Sequence, residues 1–187
     1  MIISEEMENN FDDIMIRPSK ESEREIIKKL VNQVFKKFSG HMWAREKDRL
    51  SDEGFQTYHE KGELFVAEKE GSIVGCITMS PEGEDAVKVG MLVVREDLQK
   101  QGIGRRLMDY TTQLALSNKS CKRMLLTTLY LTHKPDDWNK VQMPIFYRKF
   151  GFELVDTVDL LEKWPAAVEF IADDITLCIH EKRINQL

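Results

Sequence analysis

Two glycines at the start of a predicted helix are the residues of this sequence best suited to chemistry. They belong to the stretch Gln99–Gly104, which follows an apolar run ending at Val94 and opens a helical pattern that begins at Ile103. Glycines in this position let the backbone approach a ligand closely. The free N–H groups and the dipole of the first helical turn favour a phosphate there. The stretch therefore predicts a phosphate-binding turn, with a tight turn that binds nothing as the alternative.

Three kinds of phosphate-binding loop contain such glycines. No GxxxxGK followed by Ser or Thr occurs in the chain, which excludes a Walker loop. The dinucleotide fingerprint GxGxxG fails at its third glycine, where this chain has Leu107. The remaining pattern is Gln/Arg-x-x-Gly-x-Gly/Ala, which Gln99, Gly102 and Gly104 match. It resembles the pyrophosphate loop of acyl-CoA-dependent N-acetyltransferases.

A second motif lies further along the chain. The aromatic pair Phe146-Tyr147 stands on a predicted helix and is followed by the glycine stop Gly151-Phe152 and a strand-like run. Together the two stretches resemble motifs A and B of the GNAT superfamily of N-acetyltransferases. The resemblance covers most of the chain, from about Ile14 to Arg183, although only the two motifs are specific.

The resemblance implies that acetyl-CoA is the co-substrate and that no metal takes part. The backbone of Leu92, Val93 and Val94 would pair with the pantetheine arm in the manner of an added strand. The pyrophosphate would be surrounded by Gln99, Lys100, Gln101, Gly102, Ile103, Gly104 and Arg105. For the cations, a solvated position at a helix start is the alternative. Gly90, inside the predicted strand, indicates a bulge or a close backbone approach.

Acyl transfer to an amine needs a proton donor for the leaving thiolate and a base for the amine. Tyr147 matches the motif B tyrosine, which is the general acid in many relatives, and a phenol with a pKa near ~10 is protonated at neutral pH. A core tyrosine is the alternative. Relatives often place the base on the fourth strand, at a position that is Lys88 here. Glu84 and Asp85 precede that strand, so Glu84 is the candidate base, with a plain turn as the alternative.

The acceptor amine is expected to contact loops rich in aromatic and charged residues. These residues are His41, Trp43, His133, Asp136, Asp137 and Trp138. Carboxylates beside an aromatic ring suit a cation, although surface loops are the alternative. Pro144 predicts that the motif B helix starts late or is kinked. The stretch Asp159–Asp174 is long for a hairpin loop and is expected to form a short helix over the cleft, a dimer contact or structural packing.

The elements that must position these residues alternate between strands and helices. Apolar periodicity predicts the order β-α-α-β-β-β-α-β-α-β-β. This order predicts an α/β fold of the α+β type, with a mixed, mostly antiparallel central sheet of about seven strands and helices on both faces. The GNAT fold has the same order, and the resemblance implies that its fourth and fifth strands splay apart to hold the cofactor.

Length and composition predict a single folded unit. The 187 residues are 42% hydrophobic and 32% charged, with residues 1–13 expected to be an acidic tail and 14–187 one domain. A net charge of −5 disfavours nucleic-acid binding, and no apolar run approaches the ~20 residues of a membrane span. The wide spacing of Cys76, Cys121 and Cys178 predicts reduced cysteines and a cytoplasmic location.

The sequence as a whole predicts an enzyme. The expected reaction is transfer of an acetyl group from acetyl-CoA to an amine of a small molecule or peptide, by direct attack in a ternary complex. A homodimer is an open alternative to a monomer. A non-catalytic acyl-CoA-binding sensor or partner domain is the competing function, because Lys88 replaces the usual carboxylate and Pro144 disturbs the motif B helix. A nucleotide at the glycine turn is the most remote alternative.

Overall fold

The described part of the chain, residues 13–44, 48–134 and 136–184 of a computed structural model, folds around one mixed sheet of seven strands. The side chain of Trp138 and all but the last residue of the predicted acidic tail lie outside this part. The strand order is β1-β2-β3-β4-β5-β7-β6, and only β4 and β5 pair in parallel within these ranges. The strands are β1 (Ile14–Pro18), β2 (Leu64–Lys69), β3 (Ser72–Glu82), β4 (Ala86–Val94), β5 (Arg123–Leu131), β6 (Glu153–Asp159) and β7 (Ile175–Arg183).

Five α-helices of the described residues connect these strands. They are α1 (Arg24–Ser39), α2 (Asp52–Glu60), α3 (Ile103–Ser117), α4 (Trp138–Arg148) and α5 (Leu160–Lys163). The predicted order of elements is confirmed, and α5 forms the short helix expected inside Asp159–Asp174. It continues into a 3₁₀ turn at Pro165–Glu169.

The helices cover both faces of the sheet, as predicted. One buried cluster joins α3 to the sheet through residues such as Leu107, Met124 and Phe152. A second cluster joins α1 and α2 to the other face through Ile27 and Phe55. Complete burial of an aliphatic or aromatic side chain contributes about 1.5–3 kcal/mol, so these two clusters hold the helices on the sheet.

Strand β4 contributes to both clusters because its side-chain alternation is broken. Val87 and Val89 belong to the α3 cluster, whereas Met91 and Val93 belong to the α1 cluster. In a regular strand all four side chains would point to the same face. The register with β3 shifts between Cys76 and Thr78, so β4 has a bulge that turns the later residues over.

The sheet opens between β4 and β5. The two strands pair only where Ala86–Lys88 lies beside Arg123–Leu125. Beyond that point residues 89–94 and 126–131 continue as strands without pairing to each other. The splay implied by the GNAT resemblance is therefore confirmed, and it leaves a gap in the centre of the sheet.

Helix α4 begins before its proline. The carboxylate of Asp137 caps the helix by accepting a hydrogen bond of 2.8 Å from the Asn139 N–H. Pro144 lies inside the helix, where it cannot donate to the carbonyl of Lys140. The predicted late start of this helix is wrong, because the cap at Asp137 and packing against the sheet outweigh the missing hydrogen bond.

Candidate active site

The glycine loop has a backbone that leaves a row of N–H groups open. Gly102 precedes α3 with a φ of 82°, and Lys100 has a φ of 64°. In the described part of the chain, no protein acceptor faces the N–H groups of residues 100–105. These donors lie at the positive end of α3, which is a favourable place for a phosphate group. The loop therefore has the geometry that the motif predicts, and its occupation by a ligand stays a prediction.

The polar side chains of the glycine loop contact other groups of the protein, unlike its backbone N–H groups. The amide Nε2 of Gln99 donates to the carbonyl of Val94 at 3.1 Å, which ties the loop to the end of β4. Gln101 donates to the carbonyl of Asp97 at 3.4 Å. Arg105 is exposed, with its guanidinium 3.8 Å from the carboxylate of Asp109. The motif glutamine thus shapes the loop, and the backbone is left to carry ligand contacts.

The bulge in β4 lies beside the gap and frees a stretch of backbone. Thr78 pairs with Gly90 and Cys76 pairs with Val93, so Met91 and Leu92 have no partner in β3. Met91 has a φ of 45°, and a Cβ at Gly90 would lie 3.3 Å from Thr78 Oγ1. The expected bulge and close approach at Gly90 are both present. Because residues 89–94 also lack a partner in β5, this backbone is open to an extended ligand.

Tyr147 faces the sheet from α4. Its ring centroid lies 5.1 Å from that of Phe146, 6.3 Å from that of Phe152 and 6.1 Å from that of His180. Burial raises the pKa of Tyr147 to about 12, because the phenolate would lose hydration in this apolar setting. The hydroxyl is therefore protonated at neutral pH and is able to act only as a proton donor there.

His180 is a buried ionisable residue that the sequence did not reveal as part of a site. Its side chain on β7 is 1% exposed, and its Nε2 lies 3.0 Å from Thr128 Oγ1 on β5. Burial lowers the pKa of His180, because the imidazolium would be poorly hydrated. The signal for this pair in the sequence is a polar residue at a core-facing position of each strand, Thr128 on β5 and His180 on β7.

The candidate base has no supporting contact. Glu84 is exposed in the turn before β4, and no described contact links it to Tyr147 or to the glycine loop. The neighbouring Asp85 pairs with Arg123 at 2.8 Å, and this guanidinium lowers the pKa of the Asp85 carboxyl. Lys88 occupies the last paired position before the strands separate. The base is therefore not assigned to a side chain on β4.

The structure places the predicted acceptor residues in several different settings. His41 and Asp137 come together, with 3.8 Å between the imidazole Nε2 and a carboxylate oxygen. Trp43 pairs with Ile171, which joins the segment after α1 to the segment before β7. His133 is exposed and pairs with Asp174 at 2.8 Å. Asp136 is exposed, and no described contact brings it into a site. The side chain of Trp138 lies outside the described residues, so its predicted role stays a prediction.

A cavity of about 970 Å³ adjoins the segment that contains Trp43. Its lining includes Phe35, Asp48, Arg49 and Trp164 in addition to Trp43. Trp43 was predicted as an acceptor contact, whereas Phe35, Arg49 and Trp164 were not predicted as site residues. Phe35, Trp43 and Arg49 are close in the sequence, and the tertiary fold brings the distant Trp164 beside them.

The fold and the site define the class of protein, and comparison with known proteins defines its family. A sheet that splits beside a glycine loop at a helix N-terminus is the arrangement of an acyl-CoA-dependent acyltransferase. The family described as acetyltransferase (GNAT) domain matches residues 60–154 of this chain. The chain is 30% identical over 135 residues to the uncharacterized N-acetyltransferase YhbS of Escherichia coli K12, with coverage of 67% of this chain and 70% of that protein. The protein therefore belongs to the GNAT acetyltransferases.

Solved structures share the fold. An N-acetyltransferase from Staphylococcus aureus Mu50 is similar with a TM-score of 0.68 and 18% identity, covering 92% of this chain and 99% of that one. A GNAT family acetyltransferase from Elizabethkingia anophelis, solved with acetyl-CoA bound, is similar with a TM-score of 0.63 and 20% identity, again covering 92% and 99%. At these identities the likeness concerns the fold.

The described residues contain neither a membrane-spanning helix nor a cluster of metal ligands. Within residues 13–44, 48–134 and 136–184, no helix combines the length and apolar character needed to span a membrane. The same ranges contain no group of three or more His, Cys, Asp or Glu side chains placed to hold a metal ion. The cysteines Cys76, Cys121 and Cys178 are buried and form no disulfide bond.

Proposed function

We propose that this protein transfers the acetyl group of acetyl-CoA to an amine acceptor by direct attack in a ternary complex. The observation that carries the proposal is the gap between β4 and β5, which lies next to the open N–H groups of residues 100–105. An extended thioester arm fits the unpaired backbone of β4, and a pyrophosphate fits the start of α3. The similar Elizabethkingia anophelis enzyme was solved with acetyl-CoA bound.

In the proposed reaction the amine nitrogen attacks the thioester carbonyl carbon. A bond between carbon and nitrogen forms, the bond between carbon and sulfur breaks, and the amine loses one proton. The hydroxyl of Tyr147, which its raised pKa keeps protonated at neutral pH, donates a proton to the departing sulfur and is reprotonated from solvent afterwards. Since Glu84 has no contact with this region, the amine proton is assigned to water and not to a side chain.

The competing proposal is an acyl-CoA-binding sensor without turnover. One observation favours it: β4 carries no carboxylate, and the nearest candidates, Glu84 and Asp85, stand in the turn before the strand. A sensor would bind acetyl-CoA and acetylate no amine. A single amine that is acetylated with multiple turnovers would exclude it.

A homodimer stays a prediction. Strand β6 is an edge of the sheet, and its Leu154 and Val155 are 48% and 55% exposed. Its carboxylates at Glu153, Asp156 and Asp159 would repel their copies in an antiparallel pairing of two such strands. A dimer through this edge is therefore disfavoured. Sedimentation or light scattering of the purified protein measures the state directly.

The proposed cofactor site is tested by calorimetric titration of acetyl-CoA into the wild type and Gly104→Glu. The added carboxylate suits the first turn of α3, so the variant is expected to fold, but it repels the phosphate groups. We expect micromolar binding that Gly104→Glu abolishes. Gly104→Ala is the control, because its Cβ meets only Val94 Cγ2 at 3.7 Å and adds no charge. No binding to the wild type, or equal binding to Gly104→Glu, would contradict the proposed site.

A further inference from the structure

The cavity next to Trp43 is lined by α1, by the segment that follows α1 and by Trp164. Phe35 packs on the cluster that contains Met91 and Val93 of β4. Trp43 packs on a different cluster, which contains Leu131 of β5 and Ile175 of β7. Because Phe35 and Trp43 both line the cavity, the cavity bridges the two halves of the sheet that separate beyond Lys88.

Arg49 gives this cavity a cationic wall. Its guanidinium carbon lies 5.1 Å above the centroid of the Phe35 ring, and its side chain is exposed to the cavity. Among the described residues, no carboxylate lies within 4.0 Å of its nitrogens. A guanidinium that lines a cavity and has no such partner there can bind the carboxylate of a ligand.

The position of Arg49 is fixed from the side of α1. The Asn32 side chain donates to the carbonyl of Leu50 at 3.1 Å and accepts from the Leu50 N–H at 2.9 Å. Leu50 is itself 1% exposed and belongs to the α1 cluster. Both backbone groups of Leu50, the residue next to Arg49, are thus hydrogen-bonded to Asn32. With its guanidinium carbon over the Phe35 ring, Arg49 presents planar N–H donors of the kind that bind a carboxylate in a bidentate manner.

Much of the rest of the wall is aromatic. Trp43 is held in place by its pairing with Ile171, and Trp164 stacks on Phe170 with 6.4 Å between the ring centroids. Two indole rings and the Phe35 ring form an apolar surface beside the guanidinium of Arg49, and Lys36 and Asp48 also line the cavity. Pockets that combine an apolar lining with a few directed polar groups select a ligand with the matching features.

We propose that the acceptor is an aromatic or large apolar amino acid. Its carboxylate binds Arg49, its side chain lies against Trp43 and Trp164, and its α-amine reaches the gap between β4 and β5. The inference rests on the proposed acetyl transfer and specifies its acceptor. The α-nitrogen gains the acetyl carbon and loses one proton, while coenzyme A leaves as the thiol.

The test compares two acceptors that differ in one group. L-Phenylalanine carries the carboxylate, and 2-phenylethylamine is the same aromatic amine without it. A hydrogen-bonded contact to a charged group contributes about 1.5–3 kcal/mol, so kcat/KM for L-phenylalanine is expected to exceed that for 2-phenylethylamine by at least about tenfold. In Arg49→Met the two values are expected to fall within about twofold of each other, because the carboxylate has lost its partner.

The chain offers a matched control for this substitution. Arg24 also stacks on a phenylalanine, with its guanidinium 5.5 Å from the Phe55 ring, but it pairs with Glu21 and does not line the cavity. Arg24→Met should keep the full preference for L-phenylalanine. Tryptophan fluorescence gives a second readout without turnover. L-phenylalanine should bind the wild type and Arg24→Met alike, and Arg49→Met at least about tenfold more weakly.

The outcomes separate this inference from the proposed function. If acetyl-CoA binds and 2-phenylethylamine is acetylated as well as L-phenylalanine, the acceptor inference is overturned and acetyl transfer stands. The same holds if only a polyamine or a lysine peptide is acetylated. An unchanged preference in Arg49→Met would also overturn the role of Arg49. If acetyl-CoA does not bind at all, both proposals fall.

Discussion

A methyl group added at Gly75 should destabilise the protein through one identifiable contact. A Cβ at this position would lie 2.7 Å from the Val93 carbonyl oxygen and 3.2 Å from Leu107 Cδ1. The first atom belongs to the backbone of the β4 bulge, so it is not able to rotate away. The φ of Gly75 is outside the left-handed region, so alanine suffers no backbone strain there. The cost of Gly75→Ala is therefore steric, and overpacking of this kind costs about 1–3 kcal/mol.

The measurement is urea unfolding of Gly75→Ala beside Gly104→Ala. Both substitutions add the same methyl group, but the Cβ at Gly104 meets only Val94 Cγ2 at an ordinary 3.7 Å. Alanine also favours the helix over glycine by up to about 1 kcal/mol. We therefore expect the free energy of unfolding to fall by about 1–3 kcal/mol in Gly75→Ala and to stay level or rise in Gly104→Ala. In a domain of this size each kcal/mol shifts Tm by about 2–4 °C.

The reasoning is refuted if Gly75→Ala is as stable as the wild type or more stable. That result would mean that β4 moves by several tenths of an ångström at little cost. A loss of stability in both variants would instead show that α3 tolerates no added methyl group. Only a loss of stability in Gly75→Ala that Gly104→Ala does not share supports a specific close approach between Gly75 and the bulge.

Two further predictions concern the residues around Tyr147. Tyr147→Phe should keep the ring packing and lower kcat by about 10²–10⁴-fold, because the proton donor to sulfur is lost. Thiol release measures this, and Tyr110→Phe, whose ring packs 5.3 Å from Phe65, should retain kcat. For His180, burial lowers the folded pKa below the unfolded value near ~6.5. As pH falls through that interval the unfolded state takes up the proton first, so the free energy of unfolding should decrease. His180→Gln should flatten this slope between about pH 7.5 and 5.5. An unchanged slope in this variant would contradict the assignment.

The strand, glycine loop and helix of residues 86–118 were predictable because local rules agree there. An apolar run, two glycines and a period of 3.6 residues each point to the same structure. The order of the remaining elements followed from similar patterns. The start of α4 was not predictable from Pro144, because the cap at Asp137 is formed by a residue that also looked like a loop carboxylate.

The rest of the candidate site depends on contacts between distant segments. Arg49 and Phe35 meet because α1 and the following segment fold back on each other, held by Asn32 and Leu50. His180 and Tyr147 meet only when β7 lies beneath α4. The change of face within β4 is equally hidden, since Val87, Val89, Met91 and Val93 form an unbroken alternating pattern in the sequence.

That change of face makes β4 a shared member of two cores. Its first half is buried under α3 and its second half under α1, so neither helix can leave the sheet without exposing part of the same strand. A strand shared in this way couples the opening of the two faces, and local unfolding that spares one face becomes costly. The side of the sheet that carries the glycine loop and the side that carries the Trp43 cavity therefore belong to one cooperative unit, which is joined through β4.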